Sequence, residues 1–263
     1  MDSAGREPRF RARSRAIRVV LGSALVAACA SISACGGSSQ PTAPGPPASP
    51  PAPATQVASV TDGDTIRITP PSVGAGAVRF LNIDAPELGV ATQEPWASES
   101  RDALRALLPV SSAVTLTMER EVVDTFGRAL AHVTRTSDGL NVNREQVRAG
   151  HAALYVLWPN AAQFIEYRSA QIAAQDSGFG IWNPARALTE LPFESRLRTG
   201  NRPPSQPVGD FLTRFYVDAR SYRLVHVNNR VFFSNDAEAQ GAGFTLCPQQ
   251  ASSYVDHCFA GGR

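Results

Sequence analysis

The chain has 263 residues with 43% hydrophobic content, enough to bury one ordinary core and leave material for a tail, a linker or a second small module. Its formal charge of +2 is unevenly placed: six of the 25 basic residues (Arg6, Arg9, Arg11, Arg13, Arg15, Arg18) and only two acids (Asp2, Glu7) precede Cys35, leaving 19 basic against 21 acidic residues. That near-neutral remainder excludes a bulk basic surface as a source of polyanion binding, so any nucleic-acid contact has to come from local arginines.

Arginines up to Arg18, followed by the uncharged stretch VVLGSALVAACASISAC, give the basic and apolar regions of a secretory signal in their usual order. The stretch is short for a bilayer span. It ends Ile32, Ser33, Ala34, Cys35, Gly36, which resembles the bacterial lipobox, in which the cysteine thiol takes a diacylglyceryl group. Val26, Ala27, Ala28, Cys29 fits the same pattern, but Cys35 is followed by GGSS and the run PTAPGPPASPPAP, which cannot pack a core and forms an extended tether. Residues 1–35 therefore read as a lipoprotein-type signal segment and 36–56 as a Pro-rich linker. The expectation is an exported, cell-envelope protein anchored to a membrane through lipid on Cys35. A plain cleaved signal or an uncleaved anchor also places the rest outside the cytoplasm.

From 57 to 69 apolar residues alternate around DGDT (Val57, Val60, then Ile66, Ile68), which predicts two strands joined at a tight turn for which Asp62-Gly63 supplies the chemistry. Further strands fit 78–83, 114–122 and 128–135. Helices are indicated at 96–108, 142–149 and 161–176, the last with Phe164, Ile165, Arg168 and Ile172 at helical spacing. Gly150 and Gly178 are helix stops. Five short strands suggest a small barrel. The sequence contains no P-loop and no GxGxxG, so a glycine-rich phosphate cradle is not indicated.

Three acidic sets stand out: Asp62 and Asp64 at the turn, Asp84 and Glu87 after the third strand, and Asp124 ahead of Gly127-Arg128. Carboxylates at the ends of adjacent strands could converge on a hard cation such as calcium, which requires several oxygen ligands. Arg79 and Arg128 add the guanidinium forks that phosphoryl chemistry needs beside a phosphate.

The order DGDT, VRFLNIDAPE, DTFGRALAHV, then a helix and PN, resembles the staphylococcal nuclease (thermonuclease) family over nearly all of 57–182. The resemblance implies an α+β fold, a five-stranded OB-type β-barrel with three helices, over 57–184. It also implies Asp64 and Asp84 as carboxylate ligands of calcium, with Ala85 adding its main-chain carbonyl where the family usually has threonine. Glu87 becomes general base or positioner of the attacking water, and Arg79 and Arg128 hold the phosphate. The implied reaction is hydrolysis of DNA or RNA at the bond between phosphorus and the 5′ oxygen, leaving 3′ phosphates. Asp62 reads as a turn residue and Asp124 as an organiser of the Arg128 loop.

Of the family's paired aromatics near the substrate, Tyr155 is kept as a substrate-binding residue and the second position is Leu157; the tyrosine before Gly-Arg is Phe126. The segment 57–184 carries ten arginines against fourteen acids, which implies weak, salt-sensitive substrate binding. A noncatalytic nuclease-like barrel that binds nucleic acid or protein is the alternative reading. After a linker at 185–209, residues 210–263 show short alternating runs (FLTRFYVD, YRLVHV, RVFFS, then AEAQGAGFTLC), a small β-rich module of unknown function. Cys247 and Cys258, with His226 and His257, leave a disulfide or a zinc site open; in an exported module a disulfide closing a short loop is the simpler expectation.

Overall fold

The computed structural model describes residues 54–71, 73–89, 94–201, 203–248 and 258–259, all within one compact unit spanning 51–263. The leader, Cys35, most of the Pro-rich linker and His257 lie outside the described residues. Among the described residues no helix is long and apolar enough to cross a membrane.

The alternation around DGDT makes the hairpin β1 (Gln56–Val60) and β2 (Thr65–Thr69), with Val60 opposite Ile66 and Val57 opposite Ile68. β3 (Ala77–Phe80) pairs antiparallel to β2 and sets Arg79 opposite Thr65. The single strand expected at 78–83 breaks here, because Asn82 adopts φ 64°, a left-handed conformation that asparagine tolerates. β4 (Ile83–Asp84) therefore leaves that sheet.

Helix α1 (Ala97–Leu107) buries Ala97, Ser100 and Leu104 on one face. β5 (Val114–Thr117) is shorter than the expected 114–122: its ladder ends with Thr117 opposite His132, and beyond it the Glu119 carboxylate meets His132 Nε2 at 2.6 Å and accepts the amide of Ala162 at 2.9 Å. β6 (Ala129–Arg135) and β7 (Leu140–Asn141) lead into α2 (Val142–Arg148), where the Asn141 side chain accepts from the Arg144 amide as an N-cap. β8 (Ala153–Leu154), β9 (Val156–Leu157) and α3 (Phe164–Asp176) follow. Asp84 of β4 pairs with Ala153 of β8.

The expected closed five-stranded barrel does not form. The first sheet runs β1-β2-β3-β6-β5, with β7 alongside β6, and its end strands share no ladder. β1 meets the approach to β5 at one isolated bridge, Gln56 to Ala113. Beside that bridge the contacts are single hydrogen bonds, with Ser111 donating its amide to Val57, Ser112 accepting from Val57 and Val114 donating to Thr55, and two of the three go to a turn. Ser111 sits at φ 71°, which ends extended geometry and prevents the ladder from continuing. The architecture is an open, OB-like six-stranded sheet with helices.

Beyond the three predicted helices, α4 (Pro192–Thr199) lies within the stretch read from sequence as linker. Then come β10 (Val208–Asp210), β11 (Phe215–Val217), β12 (Arg230–Phe232), α5 (Asp236–Gly241) and β13 (Thr245–Leu246). These strands form a second sheet in the order β13-β11-β10-β12-β9, whose last strand is contributed from upstream: Val231 lies parallel to Val156. Tyr216, Val231, Phe233 and Phe244 join the same core as Ile66, Phe80 and Leu104. A buried Phe233 alone contributes about 1.5–3 kcal/mol of transfer free energy. A smaller cluster gathers Phe193 of α4 with Val208, Tyr222, Phe232, Cys247 and Cys258, and a disulfide joins the two cysteines with Cα atoms 6.1 Å apart.

Candidate active site

The DGDT turn is held from both sides. Asp62 Oδ1 accepts the Asp64 amide at 3.1 Å, and the Gly63 carbonyl accepts Gln146 Nε2 of α2 at 2.8 Å. Gly63 packs so closely on α1 that a Cβ there would lie 1.9 Å from Ser100 Oγ. The turn delivers Asp64, buried, to the start of β2, where its Oδ2 accepts the Ala85 amide at 2.8 Å and its Oδ1 accepts the Thr65 hydroxyl at 3.0 Å.

Arg79 projects into the same space. Its Nη1 lies 3.1 Å from Asp64 Oδ2 and donates to the carbonyls of Phe80 and Ile83, while Nη2 donates to Asp84 Oδ1 at 2.9 Å. The break at Asn82 is what brings Asp84 back against Arg79: a continuous strand would have carried it away. Glu87, half-buried, completes the group through Arg196 of α4, whose Nη1 donates to Asp84 Oδ1 at 2.7 Å and to Glu87 Oε1 at 3.3 Å.

Burial pushes the Asp64 carboxyl up to about 6 against the pull of Arg79. Burial also raises Asp84, against Arg196 and Arg79. Glu87 is raised by burial and then by the Asp64 and Asp84 carboxylates beside it. Three acids thus crowd a space with too little positive charge, and Asp84 Oδ2 is a buried acceptor with no hydrogen-bond partner. This all-oxygen donor set, with one oxygen unspent, fits a hard cation completed by water. Among the described residues no group of three or more His, Cys, Asp or Glu side chains gathers at metal-ligand spacing, so Asp64 and Asp84 are the two buried carboxylates the site would offer.

The remaining predicted residues lie apart from this group or at its edge. Arg128 pairs through Nε with Asp124 Oδ2 at 2.7 Å and stands 5.4 Å from the centroid of Phe126, whose ring is 83% exposed. Asp124 Oδ1 accepts the amides of Phe126 and Arg128 and so orders that loop. Tyr155 is flanked by Phe193 and Phe232 at 5.7 and 4.8 Å between ring centroids, with the Arg196 guanidinium 5.7 Å from its own ring. Trp158 packs on Phe233 and Phe244 in the core.

Arg196 is the residue that sequence reasoning missed. A signal exists in LPFESRLRT: Pro192 in the first helical turn, Glu194 reaching back to the Leu191 amide at 2.9 Å, and arginines in the last turn are the ordinary marks of a short helix.

With this site on an OB-like sheet, the class is that of a staphylococcal-nuclease-type domain. Residues 77–184 match the family model of the staphylococcal nuclease homologue, which identifies this segment as a domain of that family. It is 34% identical over 197 residues, 72% of the chain, to a protein described as "Endonuclease YhcR" from Bacillus subtilis (strain 168), and 38% identical over 100 residues, 38% of the chain, to an "Uncharacterized endonuclease" from Escherichia coli O157:H7. The chain spans 16% of the length of the first and 60% of the second.

Proposed function

We propose that this chain is an exported, calcium-dependent nuclease that hydrolyses phosphodiester bonds of DNA, RNA or both and leaves 3′ phosphates. The observation that carries the reading is the convergence of Asp64 and Asp84 on Arg79, with Glu87 joined to Asp84 through Arg196. The family of the segment and the names of its relatives support the same chemistry.

Asp64 and Asp84, with the Ala85 carbonyl, would hold calcium. Bound there, the ion would supply positive charge beside the phosphate and offset the charge that grows as water attacks. Glu87 receives the proton of the attacking water, a role that needs reach through one water at most. Arg79 holds a non-bridging phosphate oxygen and gains strength as negative charge accumulates there. Arg128, on the loop ordered by Asp124, supplies the second guanidinium, and the Tyr155 hydroxyl side faces the nucleotide. The leader sequence supports export, and lipid on Cys35 would keep the domain at a membrane.

Incubating the purified chain with labelled single-stranded DNA or RNA, with calcium or with excess chelator, tests the enzymatic reading. Cleavage only with calcium and products bearing 3′ phosphates are expected. Equal cleavage in chelator removes the calcium claim, and binding without cleavage leaves the noncatalytic alternative. For the anchor, labelled fatty acid retained equally by a Cys35→Ser chain would refute lipid attachment there.

A further inference from the structure

We infer that Arg196 is an additional substrate-binding residue, a phosphate ligand that α4 presents to the strand lying over Asp84 and Glu87. The inference rests on the nuclease reading of that site.

Two guanidiniums, Arg79 and Arg196, converge on one carboxylate oxygen, Asp84 Oδ1, at 2.9 and 2.7 Å. Two guanidiniums side by side can share an anion that accepts from both, which a phosphate with its several oxygens does better than one carboxylate oxygen. Arg196 also reaches Glu87, so a phosphate whose attacking water is held by Glu87 lies within reach of the same guanidinium.

Holding α4 in place does not require this residue. Phe193 already seats the helix among Tyr155, Tyr222 and Phe232, and Glu194 accepts the Tyr222 hydroxyl at 2.6 Å. Both carboxylate contacts of Arg196 use Nη1 alone, a further hydrogen bond joins the guanidinium to Tyr155, and a third of the side chain is exposed, so the planar fork with its five N–H groups still keeps donors for a ligand. Beside it opens a cavity of about 220 Å³ walled in part by Tyr155, Phe193 and Tyr222, which leaves room for a strand to approach.

The test is binding, not turnover. A single-stranded oligodeoxynucleotide whose bridging 5′ oxygens are methylene groups keeps its phosphate charges and resists cleavage at the bond to phosphorus; its affinity is measured in calcium across a series of salt concentrations. Wild type is expected to weaken linearly on a log–log plot. Arg196→Ala should flatten that slope by about 0.7, the share of one phosphate contact to a single strand, and bind roughly five- to tenfold more weakly at low salt. Arg196→Met, which keeps the aliphatic stem over Tyr155, should lose the same slope if the alanine variant folds poorly. Arg196→Lys should restore most of it. Unchanged slope, or tighter binding as expected of a plug, in a folded Ala or Met variant overturns the inference while leaving the nuclease reading intact. Wild type that fails to bind overturns both.

Discussion

Arg79 and Arg196 share a single acceptor, Asp84 Oδ1, although Arg196 lies 112 residues further along the chain than Asp84. The two partners differ in burial: the Arg79 side chain is 13% exposed and that of Arg196 33%. Replacing Arg79 by Met leaves the buried Asp64 and Asp84 carboxylates without their shared counter-charge, and the expected loss is on the order of 3 kcal/mol in urea unfolding. Removing Arg196 instead should cost less than about 1 kcal/mol, because water can take over at a part-exposed ion pair. Equal losses would mean that Arg196 is as structural as Arg79.

Gly63→Ala tests how tightly the DGDT turn is built. The new Cβ would meet Ser100 Oγ at 1.9 Å and the Ala85 Cβ at 2.6 Å, and Ser100 is committed to the His151 carbonyl at 2.6 Å. Either α1 or the turn has to move, at a cost of about 1–3 kcal/mol for overpacking, and Asp64 moves with the turn. The expected result is a lowered urea midpoint together with loss of calcium-dependent cleavage. Wild-type values for both would show that the turn can yield.

Arg128→Ala should lower turnover by about two orders of magnitude, the size of effect expected when one charge partner of the transition state is lost. Its partners in the structure, Asp124 and Phe126, sit on the loop that carries it, so the substitution removes no contact with the Asp64–Asp84 group. A change of only a few-fold in kcat would make Arg128 a loop residue, bound to Asp124 for structure.

What the sequence disclosed and what it hid divide along physical lines. Asp64, Arg79, Asp84 and Glu87 were legible because short-range features place them: a turn-forming Asp-Gly, an alternating strand, and acids a few residues past its end. The gap between β1 and β5 was not legible, since alternation fixes which face a residue takes and says nothing of whether two edges meet. Ser111 decides that by its left-handed φ, and serine carries no strong preference for it. Arg196 was hidden for a different reason. Its helix is eight residues long, and the pairing of β12 with β9 that brings the C-terminal sheet alongside the site is a long-range contact with no local signature.

The disulfide between Cys247 and Cys258 ties the end of the chain into the cluster that also seats Phe193 of α4. Cys247→Ser with Cys258→Ser should cost about 2–4 kcal/mol, because cross-linking a short loop removes conformational freedom from the unfolded chain. The loss should appear first around α4 and the second sheet as faster amide exchange at Phe232 and Val208, while β1–β3 keep their protection. Uniform loosening of both sheets would show that the cluster and the main core unfold as one.

His151 makes the pH dependence of stability predictable in sign. Burial pushes its pKa below the ordinary 6.5, with Glu99 and Glu145 opposing, and its Nδ1 has no hydrogen-bond partner. The folded protein therefore holds the imidazole neutral at pH values where the unfolded chain has begun to protonate it. Below 6.5 the unfolded state binds more protons than the native state, so acidification stabilises the unfolded side. The contribution of His151 is fully present above pH 6.5 and is lost progressively as pH falls through the folded pKa. Wild-type Tm should drop between pH 7 and 5 more steeply than that of His151→Gln, which fills a similar volume with a group that does not titrate. Parallel curves for the two proteins would mean that water reaches the imidazole and that the depressed pKa does not exist.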